Sequence, residues 1–79
     1  MPAFNDLKLY VLPGCPFCSK VDRFLDANNV HIEHLSVTDP KNADDLVRIG
    51  GKRQSPCLII DGKALYESDD IIAYLQSRL

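Results

Sequence analysis

Two cysteines, Cys15 and Cys18, carry the clearest chemical signal in the sequence. A short apolar run and Pro13-Gly14 precede them, and a helical pattern begins directly after Cys15. The first thiol therefore lies where a helix N-terminus supplies unpaired N–H groups and a partial positive charge. That field favours the thiolate, which is the nucleophile in disulfide exchange. The second thiol lies one helical turn further on, so the pair predicts redox chemistry in which the two thiols close a disulfide.

The composition predicts one small domain in a reducing setting. The chain has 79 residues and a net charge of −2, which gives no reason to expect nucleic acid or an anionic membrane as partner. Its apolar runs are too short to span a bilayer, and residues 1–6 lack the regions of a signal peptide. Three cysteines argue against a secreted disulfide framework. We expect a single cytoplasmic domain over residues 1–79, acting as a monomer.

Apolar runs and turn residues predict the strands. Asp61-Gly62 is a strong signal for a two-residue hairpin turn between the last two strands. A strand, a crossover helix and a second strand form a right-handed parallel unit. The predicted order β-α-β-α-β-β-α is that of a four-stranded mixed sheet flanked by helices on both sides, an α/β fold. The expected strands cover residues 7–12, 30–37, 57–60 and 63–66.

Capping residues and helical periodicity predict the helices. The first is expected over residues 16–28. The second is capped by Asp39 and closed by Gly50-Gly51, and Ser68 is the expected N-cap of the third. The residues expected to face inward are Val21, Phe24 and Leu25 in the first helix, Val30 and Ile32 in the second strand, Ala43, Leu46, Val47 and Ile49 in the second helix, and Ile71, Ile72, Leu75 and Leu79 in the third. Phe17 shares the apolar face of the first helix by its spacing, but its position between the two thiols favours partial exposure.

Three segments carry a resemblance to a known family. Residues 15–18 are Cys-Pro-Phe-Cys, Ser55-Pro56 precedes a buried strand, and residues 67–69 are Glu-Ser-Asp. In this order they resemble the glutaredoxin family, whose dithiol site is commonly Cys-Pro-Tyr-Cys, and the similar N-terminal domain of glutathione transferases. The resemblance covers nearly the whole chain and implies a thioredoxin fold, with Pro56 as its cis-proline.

The resemblance also implies a function and a set of site residues. It implies a glutathione-dependent thiol–disulfide oxidoreductase that reduces protein disulfides and glutathione mixed disulfides. Cys15 is then the nucleophile and Cys18 the resolving thiol. Glutathione is the co-substrate, and disulfide-containing or glutathionylated proteins are the partners. The implied glutathione-binding residues are Phe17, Ser55, Pro56, Glu67, Ser68 and Asp69, with Arg48, Lys52 or Arg53 meeting the glycyl carboxylate.

Three residues near the cysteines bear on how closely the chain follows that family. Leu12 stands where many glutaredoxins carry a lysine, Phe17 lacks the usual tyrosine hydroxyl, and Lys20 keeps a positive charge nearby. Two other functions stay open. One is a glutathione-binding or iron–sulfur-cluster-binding module, which Pro16 disfavours because cluster-binding relatives often have serine there. The other is a thioredoxin-like electron donor that is reduced by a flavin reductase.

Cys15, Cys18, His31 and His34 have a spacing close to that of a zinc finger. Zinc requires four tetrahedral ligands, but strand positions three apart point to opposite faces of a sheet. The histidines are also closer together than in a classical finger. We therefore expect no metal at these residues, and surface strand positions for both histidines. The third cysteine, Cys57, begins a buried strand and is expected to pack in the core.

Overall fold

The computed structural model describes residues 3–79, except for the side chains at positions 3 and 5. The observed order of elements confirms the predicted α/β arrangement. The elements are β1 (Ala3–Val11), α1 (Pro16–Ala27), β2 (His31–Ser36), α2 (Pro40–Gly50), β3 (Cys57–Ile60), β4 (Lys63–Tyr66) and α3 (Ser68–Arg78).

The four strands form one mixed sheet in the order β2-β1-β3-β4. Strand β1 runs parallel to β2 and antiparallel to β3, and β3 is antiparallel to β4. The first strand begins four residues before the predicted start at residue 7, because its pairing with β2 extends to residue 3 and Phe4 is buried in the core. It ends at Val11, so the prediction that Leu12 belongs to the strand is wrong.

The core lies on both faces of the sheet, as predicted. Helices α1 and α3 pack on one face and α2 on the other. The fully buried Leu9 and Leu58 are paired across β1 and β3 and belong to the face under α1 and α3. The buried residues of the helices are Cys18, Val21 and Leu25 in α1, Ala43 and Leu46 in α2, and Ser68, Ile71 and Leu75 in α3.

Two of the residues predicted to face inward are exposed instead, and Phe17 is exposed as its position between the thiols favoured. Phe17 is 62% exposed, because α1 turns the neighbouring Cys18 toward the core together with Val21 and Leu25. Val47 is 44% exposed, since α2 contacts the sheet through Leu46 and Ala43. Leu79 is 53% exposed because it lies beyond the last residue of α3. The inward predictions for Val47 and Leu79 are wrong.

The turn before α1 fixes the position of Cys15. The Cys15 N–H donates to the Leu12 carbonyl at 3.1 Å, and Gly14 has a φ of +82°. Proline at the second position and a left-handed residue at the third are the features of a type II turn. The chain leaves this turn with Cys15 as the N-cap of α1, where its carbonyl accepts from the Ser19 N–H at 3.1 Å.

Replacing Gly14 tests this turn. A Cβ at this position meets nothing within 4 Å, so only the left-handed backbone opposes a side chain. We expect Gly14→Ala to lower the free energy of unfolding by about 1–2 kcal/mol, measured by urea denaturation. Gly14→Asn is the matched control and should cost less, because asparagine tolerates this conformation. Equal stability of the alanine variant and the unmodified protein would contradict the role given to the turn.

The ends of the other helices follow local signals with one exception. The Asp39 side chain accepts from the Lys41 N–H at 3.0 Å and caps α2, and Gly51 ends that helix with a φ of +83°. Ser68 is not the N-cap of α3, which corrects the prediction. Glu67 occupies that position with a φ of +71°, so Ser68 is already the first helical residue and is buried.

Candidate active site

Cys15 and Cys18 lie at the N-terminus of α1 in different surroundings. Cys15 is partly exposed, and its thiol points toward the Ser55 carbonyl with the sulfur and oxygen 4.0 Å apart. Cys18 is buried, and its sulfur accepts a hydrogen bond from the Leu12 N–H at 3.5 Å. Both thiols are free, so the structure is that of the reduced pair.

The two thiols have opposite pKa shifts. Partial burial raises the pKa of Cys15, but hydrogen bonds from the Cys18 N–H and thiol and from the Phe17 N–H outweigh it, so the pKa lies below its ordinary value. Burial raises the pKa of Cys18, and a charged Cys15 raises it further. Cys15 therefore loses its proton at a lower pH than Cys18.

These shifts predict selective alkylation of Cys15. Because the thiolate is the nucleophile, iodoacetamide at pH 7 should modify Cys15 first in the reduced protein. Its rate should level off at a lower pH than that of free cysteine. Burial raises the pKa of Cys57 to about 11, so this buried thiol should react only when the protein unfolds. Mass spectrometry of timed samples gives the order, and equal labelling of Cys57 and Cys15 would contradict the assignment.

A cleft of about 290 Å³ lies beside the thiol pair. Three separate parts of the chain form it: the start of α1, the loop before β3 and the start of α3. Its walls contain all six residues that the sequence implied for glutathione binding, together with Gln54. The residues are Phe17, Gln54, Ser55, Pro56, Glu67, Ser68 and Asp69.

The backbone places each wall of this cleft. The exposed Phe17 lies in the first turn of α1, next to Cys18. The Ser55–Pro56 peptide bond is cis, as the resemblance implied, and leads directly into β3. The left-handed Glu67 joins β4 to α3, so the first-turn N–H groups of that helix lie at the cleft. Gln54 was not among the residues that the sequence implied for glutathione binding. The one sequence feature that could have indicated its place in the cleft is that it directly precedes Ser55.

An ion pair between Lys20 and Asp69 joins α1 to α3 at the Asp69 end of this cleft. Lys20 Nζ on α1 donates to Asp69 Oδ1 in the first turn of α3. The two residues are 49 positions apart in the sequence. Sequence analysis singled out both residues but did not predict their contact, since only the packing of α1 against α3 brings them together.

Comparison with known families identifies the chain. Residues 9–78 match the family model of the glutathione S-transferase N-terminal domain. The chain is also 32% identical over 66 residues to glutaredoxin 1 of Rickettsia prowazekii, which covers 80% of this chain and 70% of the relative. The chain belongs to the glutaredoxin-like, glutathione-transferase-N-like thioredoxin family.

Two further relatives differ in how much of their length this glutaredoxin-like chain spans. The hybrid peroxiredoxin hyPrx5 of Haemophilus influenzae is 26% identical over 70 residues, which cover 89% of this chain but 29% of that protein. The solved structure of the thioredoxin-like protein BC3987 is 31% identical with a TM-score of 0.75, covering 92% of this chain and 99% of that chain. Together these relationships support a redox function of the glutaredoxin or thioredoxin type.

The three basic candidates of the glutaredoxin-like domain lie in different places. Arg53 lines a pocket of about 180 Å³ together with Leu12 and Ser55, next to the thiol pair. Arg48 pairs with Asp45 at 2.9 Å within α2. The Lys52 ammonium lies 4.6 Å from the centre of the Tyr66 ring. Arg53 is therefore the basic residue of the three that shares a pocket with Ser55.

Both histidines, His31 and His34, and the third cysteine, Cys57, lie outside the cleft. His34 Nε2 lies 2.7 Å from Asp22 Oδ1, and His31 is exposed on β2. Within residues 3–79 as described, no cluster of three or more histidine, cysteine or acidic side chains is arranged to hold a metal ion. Cys57 is fully buried against α2, which confirms its predicted place in the core. None of the described helices has the length and apolar character needed to cross a membrane.

Proposed function

We propose that this domain is a glutathione-dependent thiol–disulfide oxidoreductase that reduces protein disulfides and glutathione mixed disulfides through Cys15 and Cys18. The observation that carries the proposal is the cleft beside the thiols, whose lining takes at least one residue from each of the three motif segments. The cleft combines an apolar wall at Phe17, the Ser55 backbone and the N-terminus of α3, a combination suited to a short peptide with a charged amino-acid end.

In the proposed monothiol reaction, the Cys15 thiolate attacks the glutathionyl sulfur of a mixed disulfide. A new bond forms between Cys15 and glutathione, the old disulfide bond breaks, and the substrate leaves as a thiolate that takes up a proton. A second glutathione thiolate then attacks the bound glutathionyl sulfur. This step releases oxidised glutathione and returns Cys15 as thiolate, so two glutathione molecules supply the two electrons.

In the proposed dithiol reaction, the Cys15 thiolate attacks a protein disulfide and releases one substrate thiol. Cys18 then loses its proton and attacks the Cys15 sulfur, which releases the second substrate thiol and leaves a disulfide between the two cysteines. Two glutathione molecules reduce that disulfide. The opposite pKa shifts suit this order, because the partly exposed Cys15 loses its proton at a lower pH than the buried Cys18.

The proposed glutathione orientation follows the positions of the cleft residues. Phe17 and Pro56 flank the tripeptide, and the Ser55 backbone pairs with its cysteinyl part beside Cys15. Ser68 and Asp69, with Glu67 beside them, hold the γ-glutamyl end at the N-terminus of α3. Arg53 is the proposed partner of the glycyl carboxylate.

The test is the reduction of hydroxyethyl disulfide by the wild-type chain with glutathione and glutathione reductase. We expect turnover that needs both the protein and glutathione and saturates with glutathione. A parallel assay follows insulin reduction with a flavin-dependent thioredoxin reductase and no glutathione. Activity in the second assay alone would overturn the proposed glutathione dependence.

A thioredoxin-like electron donor reduced by a flavin reductase is the second candidate. Two observations favour it. The apolar Leu12 shares a pocket with Arg53, and the Asp69 carboxylate is paired with Lys20. Both features leave less free charge on the protein for binding the charged groups of glutathione. For such a donor, Asp69→Asn would leave the insulin-reducing activity unchanged. For the glutathione-dependent enzyme, the same variant should raise the KM for glutathione.

We further propose that residues 1–79 form one monomeric domain that works in the cytoplasm on thiol and disulfide substrates rather than on nucleic acid or membranes. The proposed setting follows from the reaction, since it needs reduced cysteines and a supply of reduced glutathione. The net charge of −2 gives no reason to expect nucleic acid or an anionic membrane as partner.

A further inference from the structure

The ion pair between Lys20 and Asp69 alters the charge of one end of the cleft. Asp69 is one of the seven residues that line the cleft, and its side chain is 81% exposed. Lys20 reaches it from the second turn of α1 and is itself 45% exposed. The carboxylate is thus accessible to a ligand, but a cation of the protein already occupies one of its oxygens.

The charged residues that line this end of the cleft are Glu67 and Asp69, and Asp70 follows them in the first turn of α3. Of the two lining carboxylates, Lys20 pairs with that of Asp69. Without Lys20, both carboxylates would attract a ligand ammonium and repel a ligand that lacks one. With Lys20 in place, a ligand ammonium must compete for Asp69, and a ligand without an ammonium meets a smaller negative charge.

We infer that Lys20 determines substrate specificity at this end of the cleft by partly neutralising Asp69. The inference rests on the proposed glutathione site and names the ligand class that the site would admit. That class is glutathione-like thiols whose γ-glutamyl amino group is acylated or missing, in addition to glutathione itself. Lys20 acts through Asp69 and is a positioning residue, with no part in the thiol chemistry.

The expected effect is modest because both side chains are exposed. Exposed ion pairs have small coupling energies, which correspond to changes of about 1.5- to 5-fold in a rate or binding constant. An effect of this size is clearest as a ratio between two substrates. A ratio also cancels any general effect of a substitution on folding or on the reactivity of Cys15.

The experiment measures the rate at which Cys15 acquires an adduct from two disulfides. The full chain carrying Cys18→Ser is mixed with oxidised glutathione or with the disulfide of N-acetylglutathione. In both reactions the Cys15 thiolate attacks one sulfur, one half of the disulfide stays on Cys15, and the other half leaves as a thiolate. Mass spectrometry gives both rate constants, and their ratio is the preference for a free amino group.

We expect Lys20→Gln in this background to raise the preference for oxidised glutathione about 2- to 5-fold. Asp69→Asn should lower the preference, and adding Lys20→Gln to Asp69→Asn should change it no further. Lys63→Gln is the charge-matched control, because Lys63 pairs with Ile60 at the opposite end of the sheet, and it should leave the ratio unchanged.

Three outcomes would overturn the inference, and the third would overturn the proposed function with it. If both disulfides modify Cys15 but Lys20→Gln leaves the ratio as it was, Lys20 has no role in specificity and the proposed function stands. If Lys20→Gln changes the ratio equally with and without the Asp69 carboxylate, it does not act through Asp69. If neither disulfide forms an adduct on Cys15, the proposed glutathione site itself fails.

Discussion

Cys15→Ser is expected to reduce glutathione-dependent turnover of hydroxyethyl disulfide to the rate without protein, whereas Cys18→Ser should retain much of the activity. Cys15 is the partly exposed thiol with the lowered pKa, and a serine hydroxyl cannot replace the thiolate in disulfide exchange. Cys18 is buried and is needed only when the pair must close its own disulfide. Reduction of a protein disulfide such as insulin should therefore be lost in both variants.

The control for this pair is Cys57→Ala. Cys57 is fully buried on the α2 side of the sheet, away from the cleft, so its loss should leave turnover close to that of the wild type. The same coupled assay measures all three variants at a fixed glutathione concentration. An active Cys15→Ser variant beside an inactive Cys18→Ser variant would reverse the proposed roles of the two thiols.

The largest effect on stability is expected from Leu58→Ala. Leu58 has no exposed surface, pairs with Leu9 and Leu65 in neighbouring strands, and belongs to the core under α1 and α3. Replacing a buried leucine by alanine lowers the free energy of unfolding by about 2–5 kcal/mol. The whole free energy of unfolding of a folded domain is commonly about 5–15 kcal/mol. Urea denaturation should therefore show a greatly reduced midpoint.

The matched control for Leu58→Ala is Leu79→Ala. Leu79 is the same residue type but lies beyond α3 and is 53% exposed, so its replacement should change stability by less than about 0.5 kcal/mol. A similar loss of stability in Leu58→Ala and Leu79→Ala would contradict the placement of Leu58 in the core and of Leu79 outside it.

The parts of the fold that sequence predicted best depend on local signals. Asp61 and Gly62 both adopt left-handed backbone conformations in the hairpin between β3 and β4, as an Asp-Gly turn requires. Asp39 caps α2 through its own side chain, as residues of its type commonly do. Each of these features involves residues within a few positions of one another, so the sequence contains all the relevant information.

The predictions that failed depend on packing between distant elements. Apolar spacing placed Val47 on the inner face of α2, but the rotation of this helix on the sheet is set by the elements that it packs against. Ser68 is a good capping residue by type, yet the left-handed Glu67 moves the start of α3 by one position. For Phe17, spacing alone fits an inner face, but its position between the two thiols favoured exposure, and the side chain lines the cleft.

The candidate site could be predicted from sequence only through its motifs. All six residues implied for glutathione binding line one cleft, although the three segments are far apart in the chain. Periodicity and capping give no reason for these segments to meet. The contact between Lys20 and Asp69 and the position of Arg53 beside Leu12 depend on how α1, α3 and the loop before β3 pack, which no short pattern encodes.

The most direct test of the central claim is to isolate the proposed intermediate. The reduced Cys18→Ser chain is treated with oxidised glutathione, digested under acidic conditions and analysed by mass spectrometry. We predict one glutathione per chain, attached to Cys15 and removed by reduced glutathione with release of oxidised glutathione. Absence of an adduct, or an adduct on the buried Cys57 alone, would contradict a glutathione-dependent reaction at Cys15.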